Sequence, residues 1–164
     1  MSDYVKLEEE IREMKQEREN IFFTYCKNNF MLIGSRAIGV ETESSDYDYV
    51  VTADVWELLE KQLNEEGFKV ERGELSYEDT EFPMYNSDCV KVLLSDGRVI
   101  NLIIYHESQD TLDEVFSTIN NMLREVPINL RRNKKFRCKV YNVILSHTLK
   151  HRDYAKKEPS KKLF

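Results

Sequence analysis

Two short motifs at a fixed separation constrain this chain more than any other feature. Gly34-Ser35 is followed, after ten intervening residues, by Asp46-Tyr47-Asp48. An apolar run, Phe30 to Ile33, leads into the Gly-Ser step, where the missing Cβ lets backbone amides approach an anion. The second motif opens another strand-like run, Asp46 to Thr52. Because side chains alternate along a strand, Tyr47, Tyr49 and Val51 share one face and Asp46, Asp48 and Val50 the other. The carboxylates therefore point together, close enough to share a divalent cation. Magnesium takes six oxygens and usually draws several from water and phosphates, so such a pair fits a metal-bound triphosphate.

The surrounding pattern predicts alternating helices and strands. Residues 5–28 read as an amphipathic helix with Leu7, Ile11, Met14, Ile21 and Tyr25 as its apolar stripe. A polar loop, Glu41 to Ser45, separates the motifs. A helix from Ala53 or Asp54 to about Glu66 has Val55, Leu58, Leu59 and Leu63 as its stripe, and Phe68-Lys69-Val70 is a short strand. Residues 71–87 lack a period and contain Pro83. Cys89 to Leu94 and Val99 to Tyr105 form a hairpin through Ser95-Asp96-Gly97-Arg98; with Asp96-Gly97 as a two-residue loop, Val92 faces Asn101 and Asp88 lies near Tyr105. Helices follow over Thr111 to Glu125, with Leu112, Val115, Phe116, Ile119 and Leu123 inward, and over Phe136 to about His151, with Val140, Val143, Ile144 and Leu145 inward.

At 164 residues and 41% hydrophobic content, the chain suits one core. The expected organisation is a single domain over 1–150, with an N-terminal helix (5–28), a core (30–105), C-terminal helices (109–150) and a basic tail (151–164). No apolar run is long enough to span a bilayer and the charged N-terminal stretch is unlike a secretory signal, so a cytoplasmic protein is expected. Cys26, Cys89 and Cys138 show neither metal-ligand spacing nor a CxxC pair, as suits a reduced compartment.

The net charge of −6 conceals a division. Residues 1–126 carry 12 Lys+Arg against 28 Asp+Glu, about −16, and residues 127–164 carry 12 against 2, about +10. The basic end, including Arg131 to Arg137, is a candidate nucleic-acid contact and equally a solvated, self-complementary face.

Taken together, Gly34-Ser35-Arg36-Ala37-Ile38-Gly39 and Ser45-Asp46-Tyr47-Asp48-Tyr49-Val50-Val51 resemble the signature of the DNA polymerase beta-like nucleotidyltransferase superfamily, especially its minimal bacterial members and the aminoglycoside nucleotidyltransferases. The resemblance covers roughly residues 30–105. It implies an α/β (α+β) fold with a mixed β-sheet, helices packed on one face, and additional N- and C-terminal helices. It also implies transfer of a nucleoside monophosphate from Mg²⁺- or Mn²⁺-bound NTP to a hydroxyl on a protein, small molecule or RNA. Asp46 and Asp48 would hold metal, and Gly34, Ser35 and Arg36 would meet the nucleotide.

Family members usually carry a third carboxylate on a later strand. The matching position here, within Arg98 to Tyr105, is Asn101. An amide oxygen can ligate a metal but is uncharged and cannot accept a proton at neutral pH. Asn101 thus favours an alternative: a catalytically weakened, nucleotide-binding or antitoxin-like protein acting through a protein partner. Asp88, Asp96 and Glu107 are poor substitutes by distance along the strands, whereas Glu74, Asp79 or Glu81 could fold back. His106 and the pair His147 and His151 read as surface groups, and Tyr47 and Tyr49 as sheet-face residues.

Overall fold

The computed structural model describes residues 2–73 and 87–149. Glu74, Asp79, Glu81, His151 and the tail 151–164 fall outside the described residues.

The elements run α1 (Asp3–Asn29), β1 (Met31–Ile33), a 3₁₀ turn (Ser35–Ala37), β2 (Tyr47–Thr52), α2 (Ala53–Glu65), β3 (Lys69–Gly73), β4 (Asp88–Leu93), β5 (Val99–Tyr105), α3 (Gln109–Glu125), α4 (Ile128–Arg131) and α5 (Lys134–Thr148). Side-chain caps mark four of the helix starts: Ser2 accepts from the Val5 amide, Thr52 from Val55, Ser108 from Thr111 and Asn133 from Phe136. Each satisfies a backbone N–H that has no partner within the helix.

The strands form one five-stranded mixed sheet in the order β1-β2-β5-β4-β3. β2 and β5 are parallel at its centre, and the other neighbours are antiparallel. The fold is thus α+β with a mixed sheet. Its helices divide between the two faces, with the N-terminal helix and α2 on one and the C-terminal helices on the other.

Under α1 and α2 lie Tyr49, Val51, Val90, Val92, Ile100, Leu102 and Ile104, packed with Phe22, Cys26, Trp56, Leu59 and Leu63. Under α3 and α5 lie Ile33, Val50, Cys89, Ile103 and Tyr105, packed with Leu112, Phe116, Ile119, Leu123, Tyr141 and Leu145.

α1 buries a different stripe from the one expected, whereas α2 and α5 bury part of theirs. In α1 the buried residues are Glu19, Phe22 and Cys26, while Leu7, Ile11, Met14, Ile21 and Tyr25 are exposed. α2 buries Trp56, Leu59 and Leu63, and Leu58 points to solvent. α5 buries Cys138, Tyr141 and Leu145 and exposes Val143. In α1 Phe22 and Cys26 take the sheet surface in place of the aliphatic stripe; in α2 Trp56 joins Leu59 and Leu63, and in α5 Cys138 and Tyr141 join Leu145. α3 buries Leu112, Phe116, Ile119 and Leu123 as its period implies.

The buried Glu19 accepts hydrogen bonds from the Ser95 amide (2.8 Å) and hydroxyl, so its charge is met by donors from the β4–β5 turn. Arg98 and Asp96 extend this clamp to Asn20 and Gln16.

The hairpin register also differs from the two-residue-loop expectation. Leu94 donates to the Arg98 carbonyl (2.9 Å), so the loop is the three residues Ser95-Asp96-Gly97. Gly97 closes it at φ +95°, the left-handed position that such loops require. The pairing consequently shifts by one: Lys91 faces Asn101, Val92 faces Ile100, and Asp88 faces Ile104 instead of Tyr105. That single step brings a lysine opposite Asn101.

Candidate functional site

A polar row crosses the centre of the sheet on the α3/α5 side. Ile33 pairs with Asp48, Asp48 with Asn101, and Asn101 with Lys91. Directly paired residues on neighbouring strands share a face. The three polar members are half-buried, and the apolar residues two places farther along the same strands are buried. The row therefore lies where the sheet runs out from beneath its helical cover.

Asp46, one residue before β2, joins this row. The Asn101 amide Nδ2 donates to Asp48 Oδ1 at 2.7 Å and to Asp46 Oδ2 at 3.0 Å. Lys91 Nζ stands 3.4 Å from Asp46 Oδ2. The two carboxylates thus converge on one amide with an ammonium beside it. Burial pushes the Asp48 pKa up to about 6; the Asn101 hydrogen bond opposes this, Asp46 adds to it, and Lys134 and Lys91 pull it down.

Gly34 closes the site from β1. Its φ is +75°, and a Cβ there would meet Asp48 Oδ2 at 2.5 Å. Only glycine permits both this backbone conformation and this approach. The Gly34 amide donates to Tyr141 Oη at 3.0 Å, which ties the step to α5. The following 3₁₀ turn is only Ser35–Ala37, and the Ser35 hydroxyl has no hydrogen-bond partner among the described residues. Ser35 thus carries an uncommitted hydroxyl on the residue that follows Gly34.

Arg36 is differently placed from a nucleotide-binding cation. Its guanidinium donates to the carbonyls of Thr42, Glu43 and Ser45 and lies 3.9 Å over the Tyr47 ring. It holds the loop between the motifs and so fixes where Asp46 enters.

Two features of the donor set bear on a divalent ion. Among the described residues no group of three or more His, Cys, Asp or Glu side chains is gathered as for a metal. Asn101 Oδ1, however, is buried without a hydrogen-bond partner there. A half-turn of the amide would present that oxygen to the space between Asp46 and Asp48 in place of the N–H donors. Two carboxylates and an amide oxygen fit one hard cation whose remaining ligands are water or phosphate.

The remaining candidates are not gathered here. Asp96 pairs with Arg98 at 2.8 Å on the α1 clamp, which holds its carboxyl below the usual range. His106 and His147 are exposed on β5 and α5 surroundings respectively. Within the basic run, Arg131 donates to the Arg124 and Val126 carbonyls and Arg137 to those of Arg131 and Arg132, so both arginines fasten α4 to its neighbours. The three cysteines are buried, and burial pushes Cys26 up to about 12 and Cys89 up to about 11. They are inert thiols.

Lys91 and Tyr141 belong to no motif, and Lys134 stands out in the sequence only as part of the basic run Arg131 to Arg137. Lys91 was detectable as the one charged residue inside Cys89 to Leu94, given the three-residue loop. Tyr141 carried no local signal, and only packing of α5 brings it and Lys134 near Gly34 and Asp48.

No family model matches the chain, and no curated protein matches it. Among solved structures it is similar to a cytoplasmic RNA terminal U-transferase, at 12% identity and a TM-score of 0.35, over 76% of this chain and 38% of that one. It is also similar to two structures of the Cid1 poly(U) polymerase. These are 12% and 13% identical, with TM-scores of 0.36 and 0.34, covering 76% of this chain and 40% and 41% of theirs. The chain thus spans about two-fifths of the length of those structures. At such TM-scores the assignment of function rests on the site's own residues.

Proposed function

We propose that this protein binds a nucleoside triphosphate with one divalent cation and transfers the nucleoside monophosphate to a hydroxyl acceptor. The observation that carries this reading is the close approach of Gly34 to Asp48 beside Asp46 and Asn101. It unites, across β1, β2 and β5, the Gly-Ser step and the Asp-x-Asp pair that the sequence keeps ten residues apart. Asp46, Asp48 and the turned Asn101 amide would hold Mg²⁺ or Mn²⁺, and the ion would neutralise phosphate oxygens. Ser35 would donate to the terminal phosphates. Lys91 adds a fixed positive charge on the same side, and catalysis at such a site is mainly positioning and charge neutralisation.

The acceptor hydroxyl meets no strong base. Asn101 stands where a carboxylate would receive its proton, so turnover is slow, and this favours a second reading. In that reading the protein binds nucleotide without transfer and acts through a protein partner.

Titration calorimetry with NTP and Mn²⁺, paired with transfer of label from NTP to protein, small-molecule and RNA hydroxyls, separates the two. Wild-type binding with slow transfer that increases at least tenfold in Asn101→Asp supports the enzyme. Binding with no transfer in either form establishes the second reading. Absence of NTP binding, or binding unchanged in Asp48→Ala, overturns both.

A further inference from the structure

Among the described residues, no hydrogen bond, ion pair or ring contact joins residues 3–15 to any other element of the fold. Residues 3–15 are all exposed, and the first contact with the body is Gln16 with Asp96. At 1.5 Å per residue the 27-residue helix is about 40 Å long, and roughly half of it projects. Isolated helices of that half's length are marginal in water, so the projecting turns call for a partner.

The projecting part has a defined pattern. Tyr4, Leu7, Ile11, Met14, Arg18, Ile21 and Tyr25 follow spacings of 3, 4, 3, 4, 3 and 4, the two core positions of a heptad repeated for three heptads. Every apolar member is between 42% and 71% exposed. The stripe is therefore a seam built for another helix and left open by its own fold. At its body end it continues into a groove of about 440 Å³ between α1 and α2, lined by Ile21, Tyr25, Val55, Leu58 and Gln62, with Leu58 75% exposed at the rim.

We propose that the seam is covered by α1 of a second copy of this chain, running antiparallel. Charge selects that direction. Residues 3–10 carry Asp3, Glu8, Glu9 and Glu10 against Lys6, a sum of −3; residues 12–18 carry Arg12, Lys15 and Arg18 against Glu13 and Glu17, a sum of +1. Parallel helices set −3 against −3, whereas antiparallel helices centred between Ile11 and Met14 set residues 3–10 against residues 15–22, where Lys15 and Arg18 balance Glu17 and Glu19. With core positions alternating across the pair, Ile11 meets Met14 of the second copy, Leu7 meets Arg18 and Tyr4 meets Ile21. The tip of each helix then enters the other copy's α1/α2 groove, where Tyr4 and Leu7 cover Leu58 and Tyr25. The same patch serves both copies, as a closed two-fold interface requires. Arg18, the one polar core residue, fixes the register: its stem packs on Leu7 and its guanidinium reaches the Glu8-Glu9-Glu10 run.

Sedimentation equilibrium of the full chain should give twice 19.5 kDa. Leu7→Glu with Ile11→Glu should give a monomer that keeps the melting temperature of the body but loses helical circular dichroism from the projecting turns. Leu7 and Ile11 are more than half exposed, and an unchanged melting temperature of the body separates that loss from body unfolding. Leu58→Glu should weaken the dimer at least tenfold, and the monomer it releases should lose the same helical signal from the projecting turns. Direction is read by double electron–electron resonance with a spin label on Tyr4→Cys. Seventeen residues then separate the labels along the axis, roughly 25 Å, against about 10 Å for a parallel pair. A wild-type monomer at the highest soluble concentration, a dimer unaffected by Leu7→Glu with Ile11→Glu, or the shorter label distance overturns the proposal.

Discussion

The two faces of the sheet are made from the same alternation along the same strands, yet they differ in kind. Toward α1 and α2 the inward positions of β2, β4 and β5 are Tyr49, Val51, Val90, Val92, Ile100, Leu102 and Ile104, without a charged member. Toward α3 and α5 the corresponding positions are Asp48 and Val50, Cys89 and Lys91, and Asn101, Ile103 and Tyr105. One face is apolar from end to end. The other is apolar beneath its helices and polar where the strands extend past them. The chain thus separates two environments within one layer: the first face supplies continuous burial, and the second holds half-buried charge at its margin.

The largest test of that division is on the continuous face. Leu102, fully buried at the sheet centre, should cost about 3 kcal/mol on Leu102→Ala, from lost transfer energy and an unfilled cavity. Urea unfolding should show the midpoint fall at unchanged slope. A loss below about 1 kcal/mol would mean that this face is not the stabilising one.

On the site face a substitution should have the opposite sign. The Asp48 pKa rises from 3.8 to about 6 on folding, so the folded state holds a proton that the unfolded state has released across that interval. Wild-type stability therefore falls as pH rises from about 4 to 6 and then levels, by at most about 3 kcal/mol. With chelator present, Asp48→Asn should lack this decline and be more stable than wild type at pH 7, although it should lose cation and NTP binding. Equal pH profiles for the two proteins would show that Asp48 is not desolvated.

A smaller effect concerns Lys91. At 3.4 Å from Asp46, with both side chains more than a third exposed or nearly so, its coupling is worth under about 1 kcal/mol. Lys91→Met should tighten Mn²⁺ binding severalfold by removing a competing cation while leaving the Leu102 face unchanged, as read by calorimetry and urea unfolding. Weaker Mn²⁺ binding in that variant would show that Lys91 supports the ion instead of competing with it.

Much of this arrangement was legible in the sequence, for identifiable reasons. Strand periodicity placed Asp46 and Asp48 on the face of Val50, and the Asn101 run marked β5. The period of α3 named its buried residues because no large aromatic competes on its outer side. α1 was misread because two stripes share its period: Leu7 to Tyr25 is the longer, but Glu19, Phe22 and Cys26 meet the sheet. Sequence distinguishes a stripe from its absence and not an inward stripe from one facing a partner. Arg36 beside Gly34-Ser35 suggested a phosphate contact, whereas three loop carbonyls and the Tyr47 ring take up its guanidinium. Those carbonyls depend on the path of the loop, which composition does not encode.

The turn Ser95-Asp96-Gly97 has an evolutionary consequence. Strand alternation has a period of two, so losing or gaining one codon there would reassign Lys91 from its place opposite Asn101 and set the apolar residues of β4 against the wrong layer. The length of this turn is thus inherited under tighter control than its side chains. Substitutions at Ser95 or Asp96 alter a clamp, but a one-residue insertion or deletion rewrites both faces of the sheet at once. Related chains that keep this site should vary in the turn's letters before they vary in their number.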